Sequence, residues 1–582
     1  MRICCARLSL FLFHLCFSVS LFWCQDTQAA FVLPERSKRG MVVSAHPKAS
    51  EAGLSMLRRG GNAVDAAVAT AFAISVVEPF AAGIGGGGFL LLHQAQTGEM
   101  KALDFRERAP LRATRDMYLD KQGHVRPNAS VNGYLAVAVP GTVAGLYEVH
   151  RRYGKLSWQE VLKPAIHLAK DGFVVSSVVP WRFAQASLTR KDAILSNPAA
   201  RQIFTCKGSL YGPGDRLVQR DLARTLQAIA IDPQSFYTGS IARAIAADMA
   251  SNGGLITLKD LKSYKPIWRT PLCGTFRKAR ICSMPPPSSG GVHLLQMLNI
   301  IGDTDLKSRG WHHPDVLHLL IEAMRIAYAD RSEYLGDPDF VKVPVEQLTS
   351  RAYAAKRRQE IQMLWARSSS EVKPVDKQTL QRYTKANESP DTSHLTVVDE
   401  QRNAISLTFT INLGFGSGVV ASGTGILLNN EMDDFAAAPG VPNAFGVVGN
   451  DANAIAPRKT PLSSMTPTIV TENGRLRMAT GSPGGSTIIT TVLQVILNVL
   501  EYNMDVGAAV SASRIHHQWL PDQLSVEPWG LDAVTLAELR RRGHKIDEQS
   551  PWGNANAIVV TPDGKLEGAA DPRGEGSPRG LN

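Results

Sequence analysis

The sequence predicts a layered α+β protein, and three observations carry that prediction. The chain has 582 residues, beyond the usual range for one compact core, so two or more domains or one large layered domain are expected. The stretch from Ala63 to Val77 is apolar nearly all round, the pattern of a helix held between other layers. A largely helical region, roughly 150–380, then gives way abruptly to alternating strands beyond residue 391.

The elements follow in order. Gly40 to Ser44 reads as a short buried strand, and Pro47 suits the first turn of a helix running to Arg59 and stopped by Gly60-Gly61. Glu78-Pro79 ends the buried helix. The loop Gly83-Ile84-Gly85-Gly86-Gly87-Gly88 then enters a strand, Phe89 to His93. A glycine run that cradles phosphate opens a helix, so this one signals close backbone packing and not a nucleotide site. The helical middle region is interrupted at Met284 to Gly291. From Lys356 to Pro390, Arg, Lys, Ser and Gln prevail without apolar periodicity, which reads as a flexible, exposed segment. The change of character after it is the best internal boundary.

Hydrophobic residues at 44% and charged residues at 20% describe an ordinary soluble protein. The formal charge is +11, but Lys and Arg are scattered and form no aromatic-interleaved stripe. The expectation is a basic surface and no nucleic-acid partner. Arg2 and Arg7 precede an apolar run from Leu8 to Trp23, then polar residues and Ala29-Ala30. That is the layout of a signal peptide over residues 1–30, and hence of an exported, periplasmic or secreted protein. A retained anchor is the alternative. Of seven cysteines, Cys206, Cys273 and Cys282 lie beyond the leader, too few for a disulfide framework. Cys273 and Cys282 are either a pair or buried free thiols, and no metal-ligand spacing is present.

Two alternating runs, Thr392 to Val398 and Ala404 to Asn412, predict a hairpin. Leu395 and Val397 share a face, as do Ile405, Leu407, Phe409 and Ile411; the opposite faces carry Thr392, His394 and Thr396, and Ser406, Thr408 and Thr410. If the turn centres on Gln401, Thr392 lies directly across from Thr410, with Cβ atoms about 5 Å apart; a shift of two residues keeps the parity and moves the pair. The bland alternative is a sheet with a Thr-rich polar face. Asn473-Gly474 predicts a second hairpin, leading to Thr480-Gly481-Ser482-Pro483-Gly484-Gly485-Ser486 at a helix start. Free N–H groups at such a start can stabilise an oxyanion; an ordinary helix entry is the other reading. Leu427 to Phe435 places three carboxylates and two amides after an apolar strand, suited to an ammonium group, a solvated acidic turn or a calcium loop.

Together these segments resemble the γ-glutamyltransferase (γ-glutamyltranspeptidase) family. The resemblance rests on ordered motifs: Ser44-Ala45-His46-Pro47, Gly60 to Ala67, Asp104-Phe105-Arg106-Glu107, Val139-Pro140-Gly141-Thr142 and Pro286 to Gly291. Asn429 to Phe435, Pro461 to Met465, Gly481 to Gly485, Arg514 to Gln518 and Asp571-Pro572-Arg573 complete the set. It implies a four-layer αββα N-terminal-nucleophile hydrolase fold, cut between Asp391 and Thr392. The products would be a large subunit (31–391) and a small catalytic subunit (392–582) that stay together as a heterodimer.

The resemblance also implies roles. Thr392 is the nucleophile and, through its freed α-amino group, its own base. Thr410 orients it, and the N–H groups of Gly484 and Gly485 form the oxyanion hole. Asn412, Glu431 and Asp434 hold the α-ammonium of a γ-glutamyl compound such as glutathione; Arg106, Ser463 and Ser464 hold its α-carboxylate. Water or an amino acid or dipeptide accepts the acyl group, and no cofactor or metal is implied. Ser393 and Leu395 stand where relatives often have Thr and Tyr, and Glu431 where some have Gln, an extra carboxylate expected to strengthen cation binding. Pro439 to Asn453 resembles the loop that covers the pocket. His46, His394, His516 and His517 read as packing residues. The competing readings are a related cephalosporin or glutaryl acylase and a non-catalytic secreted protein that keeps the fold.

Overall fold

The computed structural model describes residues 32–177, 182–373 and 391–582. The expected leader (1–30) and the polar stretch 374–390 lie outside the described residues. Among the described residues, no helix is long and apolar enough to cross a membrane.

Two seven-stranded sheets form the middle of the molecule. In spatial order, one sheet consists of Ser577–Leu581 (β14), Gly40–Ser44 (β2), Ser393–Val398 (β8), Ala404–Thr410 (β9), Gly87–Gln94 (β3), Glu99–Asp104 (β4) and Ile267–Arg269 (β5). The other consists of Glu35–Ser37 (β1), Leu566–Ala570 (β13), Asn556–Val560 (β12), Arg475–Gly481 (β11), Thr468–Glu472 (β10), Ala279–Ser283 (β7) and Leu272–Phe276 (β6). Every pairing within these sheets is antiparallel.

Helices cover both outer faces. Pro47–Arg58 (α1), Ala63–Val77 (α2), Trp158–Asp171 (α3) and Arg220–Ile231 (α4) pack with Leu395, Val397, Ile405, Leu407 and Phe409 of the first sheet in one core. Gly290–Ile301 (α5), Pro314–Tyr334 (α6) and Ile488–Leu500 (α7) pack with the second sheet in another. Every residue of α2 is buried, as its uniform apolarity demands, and Asn62 and Asp65 close its N-terminus in a reciprocal cap. The αββα expectation is therefore met.

The polar face of the β8–β9 hairpin turns inward, toward the second sheet. His394 lies between Thr408 Oγ1 (2.8 Å) and Thr396 Oγ1 (3.0 Å). Asn556 Nδ2 donates to His394 O at 3.2 Å, and Ser406 Oγ to Thr480 O at 2.9 Å. The alternating pattern thus reads a sheet with two buried faces, apolar against helices and hydroxyl-rich against its sister sheet. On the hairpin, His394, Thr396, Ser406 and Thr408 all have hydrogen-bond partners, which is what burial requires.

Two expectations are corrected, and one open choice is decided. The middle region is less helical than its composition suggests, because β5, β6 and β7 belong to the sheets; β6 is an edge strand, half-buried, so it lacks clean alternation. Cys273 and Cys282 face each other across β6–β7 and form a disulfide, so they are not buried free thiols. The segment expected to be flexible, from Lys356, begins in the last turn of a helix, Arg351–Gln359, and its residues up to 373 are placed. Charge holds it instead of apolar periodicity: Arg358 Nη1 donates to Ile300 O at 2.8 Å, and Arg367 Nε to Glu322 Oε2 at 3.1 Å.

Candidate active site

The expected hairpin register is the one observed. Ser393 pairs with Phe409, His394 with Thr408 and Leu395 with Leu407, which leaves Thr392 across from Thr410. Their hydroxyl oxygens are 3.2 Å apart. Thr392 Oγ1 also lies 2.8 Å from the carbonyl oxygen of Asp391, the peptide unit immediately before it. Thr410 Oγ1 accepts a hydrogen bond from Asn412 N–H at 2.8 Å, which fixes its lone pairs and leaves its proton for a neighbour. The glycine loop packs as expected: a Cβ on Gly86 would collide with Thr410 O, and one on Gly85 with Leu427 O. Only bare backbone lets this loop pass so close to the end of β9.

The acidic turn is neither solvated nor open. Glu431–Asp434 forms a short 3₁₀ turn with Glu431 fully buried. Asn429 anchors the turn, its Nδ2 donating to Gly85 O and Ala138 O, both at 2.8 Å. Asn412 Nδ2 donates to Asn430 O at 3.0 Å, tying the nucleophile hairpin to it. Arg106, just past β4, forms ion pairs with Glu431 and with Asp434 Oδ2, the latter at 2.5 Å. Glu107 lies 3.8 Å from the same guanidinium. Burial pushes the Glu431 carboxyl well above the usual range and Glu107 up to about 7, with Arg106 opposing both shifts. Glu431 therefore shares its charge with a cluster around Arg106.

The other half of the cavity comes from two loops. Pro286–Gly291 holds the serine segment: Ser463 N donates to Pro287 O at 2.9 Å, and Ser289 Oγ to Ser463 O at 2.8 Å. Gly484 and Gly485 have φ of 134° and 55°, a region where side chains are strained. A Cβ on Gly485 would come within 2.5 Å of the Phe445 ring. Phe445 belongs to the expected covering loop, which is fastened by Asn443 Nδ2 to Asp434 Oδ1 (3.2 Å) and by Gln518 Nε2 to Phe445 O (3.2 Å).

One small cavity gathers Arg106, Thr392, Thr410, Asn412, Glu431, Asp434, Ser463, Ser464 and Gly485, with Asn443 and Phe445 over them. Gly484 is adjacent in sequence and not in its lining. The cavity is small, about 20 Å³, room for roughly one water in its closed part.

Residues 49–581 match the family model described as gamma-glutamyltranspeptidase. The chain belongs to this family. It is 48% identical over 542 residues to the glutathione hydrolase proenzyme of Escherichia coli (strain K12), covering 93% of this chain and 91% of that relative. Among solved structures, it is similar to the cephalosporin acylase of Bacillus halodurans, with a TM-score of 0.83, 30% identity, and coverage of 96% and 99%. The Helicobacter pylori gamma-glutamyltranspeptidase gives 47% identity and a TM-score of 0.56, covering 58% of this chain and 97% of that one. The fold of this γ-glutamyltranspeptidase-family enzyme is thus the N-terminal-nucleophile hydrolase fold.

The four singled-out histidines are buried and lie outside the cavity lining. Burial lowers His46 and His394 to about 3, and His516 to about 4, so these rings are neutral packing groups. Two residues of this family member escaped sequence reasoning. Arg331 lines the cavity from the last turn of α6. It continues the buried positions Met324, Ala327 and Tyr328 at helical spacing, and that register is the signal that could have found it.

The second is Glu78, at the end of α2, whose Oε2 accepts from Ser393 Oγ at 2.9 Å, one residue from Thr392. Burial raises its pKa from 4.5 to about 7, with Arg182 pulling the other way. Between those values the folded chain keeps a proton that the unfolded chain releases, so stability is full below pH 4.5 and falls as pH rises toward 7. Glu78→Gln cannot ionise. Its stability relative to wild type should rise by roughly 2–3 kcal/mol between pH 4.5 and 8, read by urea unfolding at each pH. A constant difference would refute the assignment.

Proposed function

We propose that this protein is a self-cleaving γ-glutamyltransferase and glutathione hydrolase that works through a γ-glutamyl ester of Thr392. The observation that carries the reading is the position of Thr392 Oγ1. It is 2.8 Å from the Asp391 carbonyl oxygen and 3.2 Å from Thr410 Oγ1, in a cavity lined by both carboxylates and arginine.

In the first step Thr392 Oγ1 attacks the Asp391 carbonyl carbon. The C–N bond breaks, the nitrogen takes the proton, and an Asp391–Oγ1 ester remains. Water hydrolyses that ester, leaving a carboxylate on Asp391 and a free α-amino group on Thr392. The pieces, 31–391 and 392–582, would not separate, because β8 and β9 are flanked by β2 and β3 of the larger piece.

In the second step the α-amino group, with a reference pKa near 8, takes the Oγ1 proton as the hydroxyl attacks a γ-glutamyl amide. Gly484 and Gly485 N–H groups stabilise the oxyanion, and the amine leaves. Water or an amino acid or dipeptide then takes the acyl group. Asn412, Glu431 and Asp434 suit the donor's α-ammonium; Arg106, Ser463 and Ser464 suit its α-carboxylate, since each buried charge needs a complement. The basic, apolar leader supports export, to the periplasm or beyond.

The acylase likeness favours one rival, in which the donor lacks the ammonium. Intact mass, N-terminal sequencing and turnover of γ-glutamyl- against glutaryl-p-nitroanilide test both readings. Two chains, the smaller beginning Thr-Ser-His-Leu, with preference for the glutamyl donor, are expected. One uncut chain would overturn the nucleophile assignment, and preference for glutaryl would favour the acylase.

A further inference from the structure

We infer that Arg331 is a second cation of the donor pocket and sets its demand for a carboxylate on the incoming acyl group, an inference that rests on the γ-glutamyl reading above. Arg331 is 7% exposed and lines the same cavity as Thr392 and Arg106. Its Nε lies 3.2 Å from Ser289 Oγ and its Nη2 3.4 Å from Ser464 Oγ. These are hydroxyl partners. Other buried arginines are matched by carboxylates: Arg325 by Glu322, Arg514 by Asp571, and Arg269 by Asp104. Among the described residues, no such ion pair is made by Arg331.

The contrast with Arg106 decides what Arg331 is for. Arg106 already has Glu431, Asp434 and Glu107 around it, so its guanidinium is shared between these carboxyls and an entering carboxylate. Burial lowers the Arg331 pKa and Arg106 adds to the shift, while Tyr328 and the more distant Asp434 oppose it, and a guanidinium stays charged at any ordinary pH. A buried charge bonded only to hydroxyls and without a carboxylate in direct contact is costly, and an incoming carboxylate lowers that cost. The site is then divided by charge. Glu431 and Asp434 face the ammonium end of a zwitterion. Arg331, reaching through Ser464, faces the carboxylate end. The loop that carries Ser289 braces both Arg331 and Ser463, which holds the cation in place.

The test is calorimetric titration of the purified enzyme with three ligands: L-glutamate, glutarate (no ammonium) and 4-aminobutanoate (no α-carboxylate beside the ammonium). In Arg331→Gln, glutamate and glutarate should bind about tenfold to a hundredfold more weakly, the value of a charge-assisted contact. Binding of 4-aminobutanoate should be unchanged or tighter, because a like charge has been removed. Arg331→Lys should recover part of the loss. Equal weakening of all three ligands in both variants would mean a purely structural role and overturn the inference, as would unchanged glutamate binding. The γ-glutamyl reading fails separately, if wild type binds none of the three.

Discussion

Thr392→Ala is expected to remain one uncut polypeptide and to release p-nitroaniline from γ-glutamyl-p-nitroanilide at least about 10³-fold more slowly than wild type. Both effects have one cause. The alanine removes the hydroxyl placed 2.8 Å from the Asp391 carbonyl oxygen, so neither the ester that breaks the chain nor the later acyl-enzyme can form. Thr410 Oγ1 is 3.4 Å from that carbonyl oxygen, but it is tied to Asn412 N–H and carries no α-amino group to act as its base. Thr392→Ser restores the hydroxyl and should restore cleavage, more slowly, since serine lacks the methyl that restricts χ1. Denaturing electrophoresis with intact mass reads the first effect and absorbance the second. A cleaved, active Thr392→Ala protein would move the nucleophile elsewhere.

Arg106→Gln is expected to have the largest effect on stability. The guanidinium is 1% exposed and forms ion pairs with Glu431 and Asp434, with Glu107 near. Removing it leaves buried carboxylates facing one another, a change that costs about 3–5 kcal/mol. The sign of the pH dependence follows. Burial already holds Glu431, Asp434 and Glu107 above the usual carboxylate range, and Arg106 opposes this in each case. Without the arginine those pKa values rise further, so the folded variant binds protons that its unfolded chain releases. Its deficit should be greatest near pH 8 and shrink toward pH 5. Melting temperatures of wild type and variant at the two pH values check this. A deficit independent of pH would show that the cluster's charge is not what Arg106 balances. Arg106→Lys keeps the charge without the fork and should fall between the two.

Much of the site was legible because it is local in sequence. The Thr392–Thr410 juxtaposition followed from alternation and turn position alone, since a strand has a period of two and register parity leaves few choices. The Gly484-Gly485 bend and the Asn473-Gly474 hairpin carry turn chemistry that only glycine or asparagine meets; Asn473 and Gly474 both take positive φ. Gly85 and Gly86 announced close packing for the same reason. Arg331 and Glu78 were not legible as site residues. Each is one charged residue at the end of a helix; the meaning of Arg331 depends on what lies across the cavity, and that of Glu78 on its contact with Ser393. The reading of 356–373 as flexible and exposed failed for a related cause: that segment is held by arginines reaching carbonyls and carboxylates far away in sequence, such as Ile300 and Glu322.

The sequence by itself determined the alternation of the nucleophile hairpin, the fully buried helix Ala63–Val77, the glycine turns and the family. These are fixed by backbone periodicity and φ restrictions, which neighbouring residues settle among themselves. Only the tertiary structure decided that the threonine-rich face of the hairpin lies between two sheets, that three carboxylates converge on Arg106, and that Arg331 faces the same cavity with hydroxyl partners alone. Charge balance in a buried site is a sum over groups brought together from distant segments, and no local pattern in the chain encodes that sum.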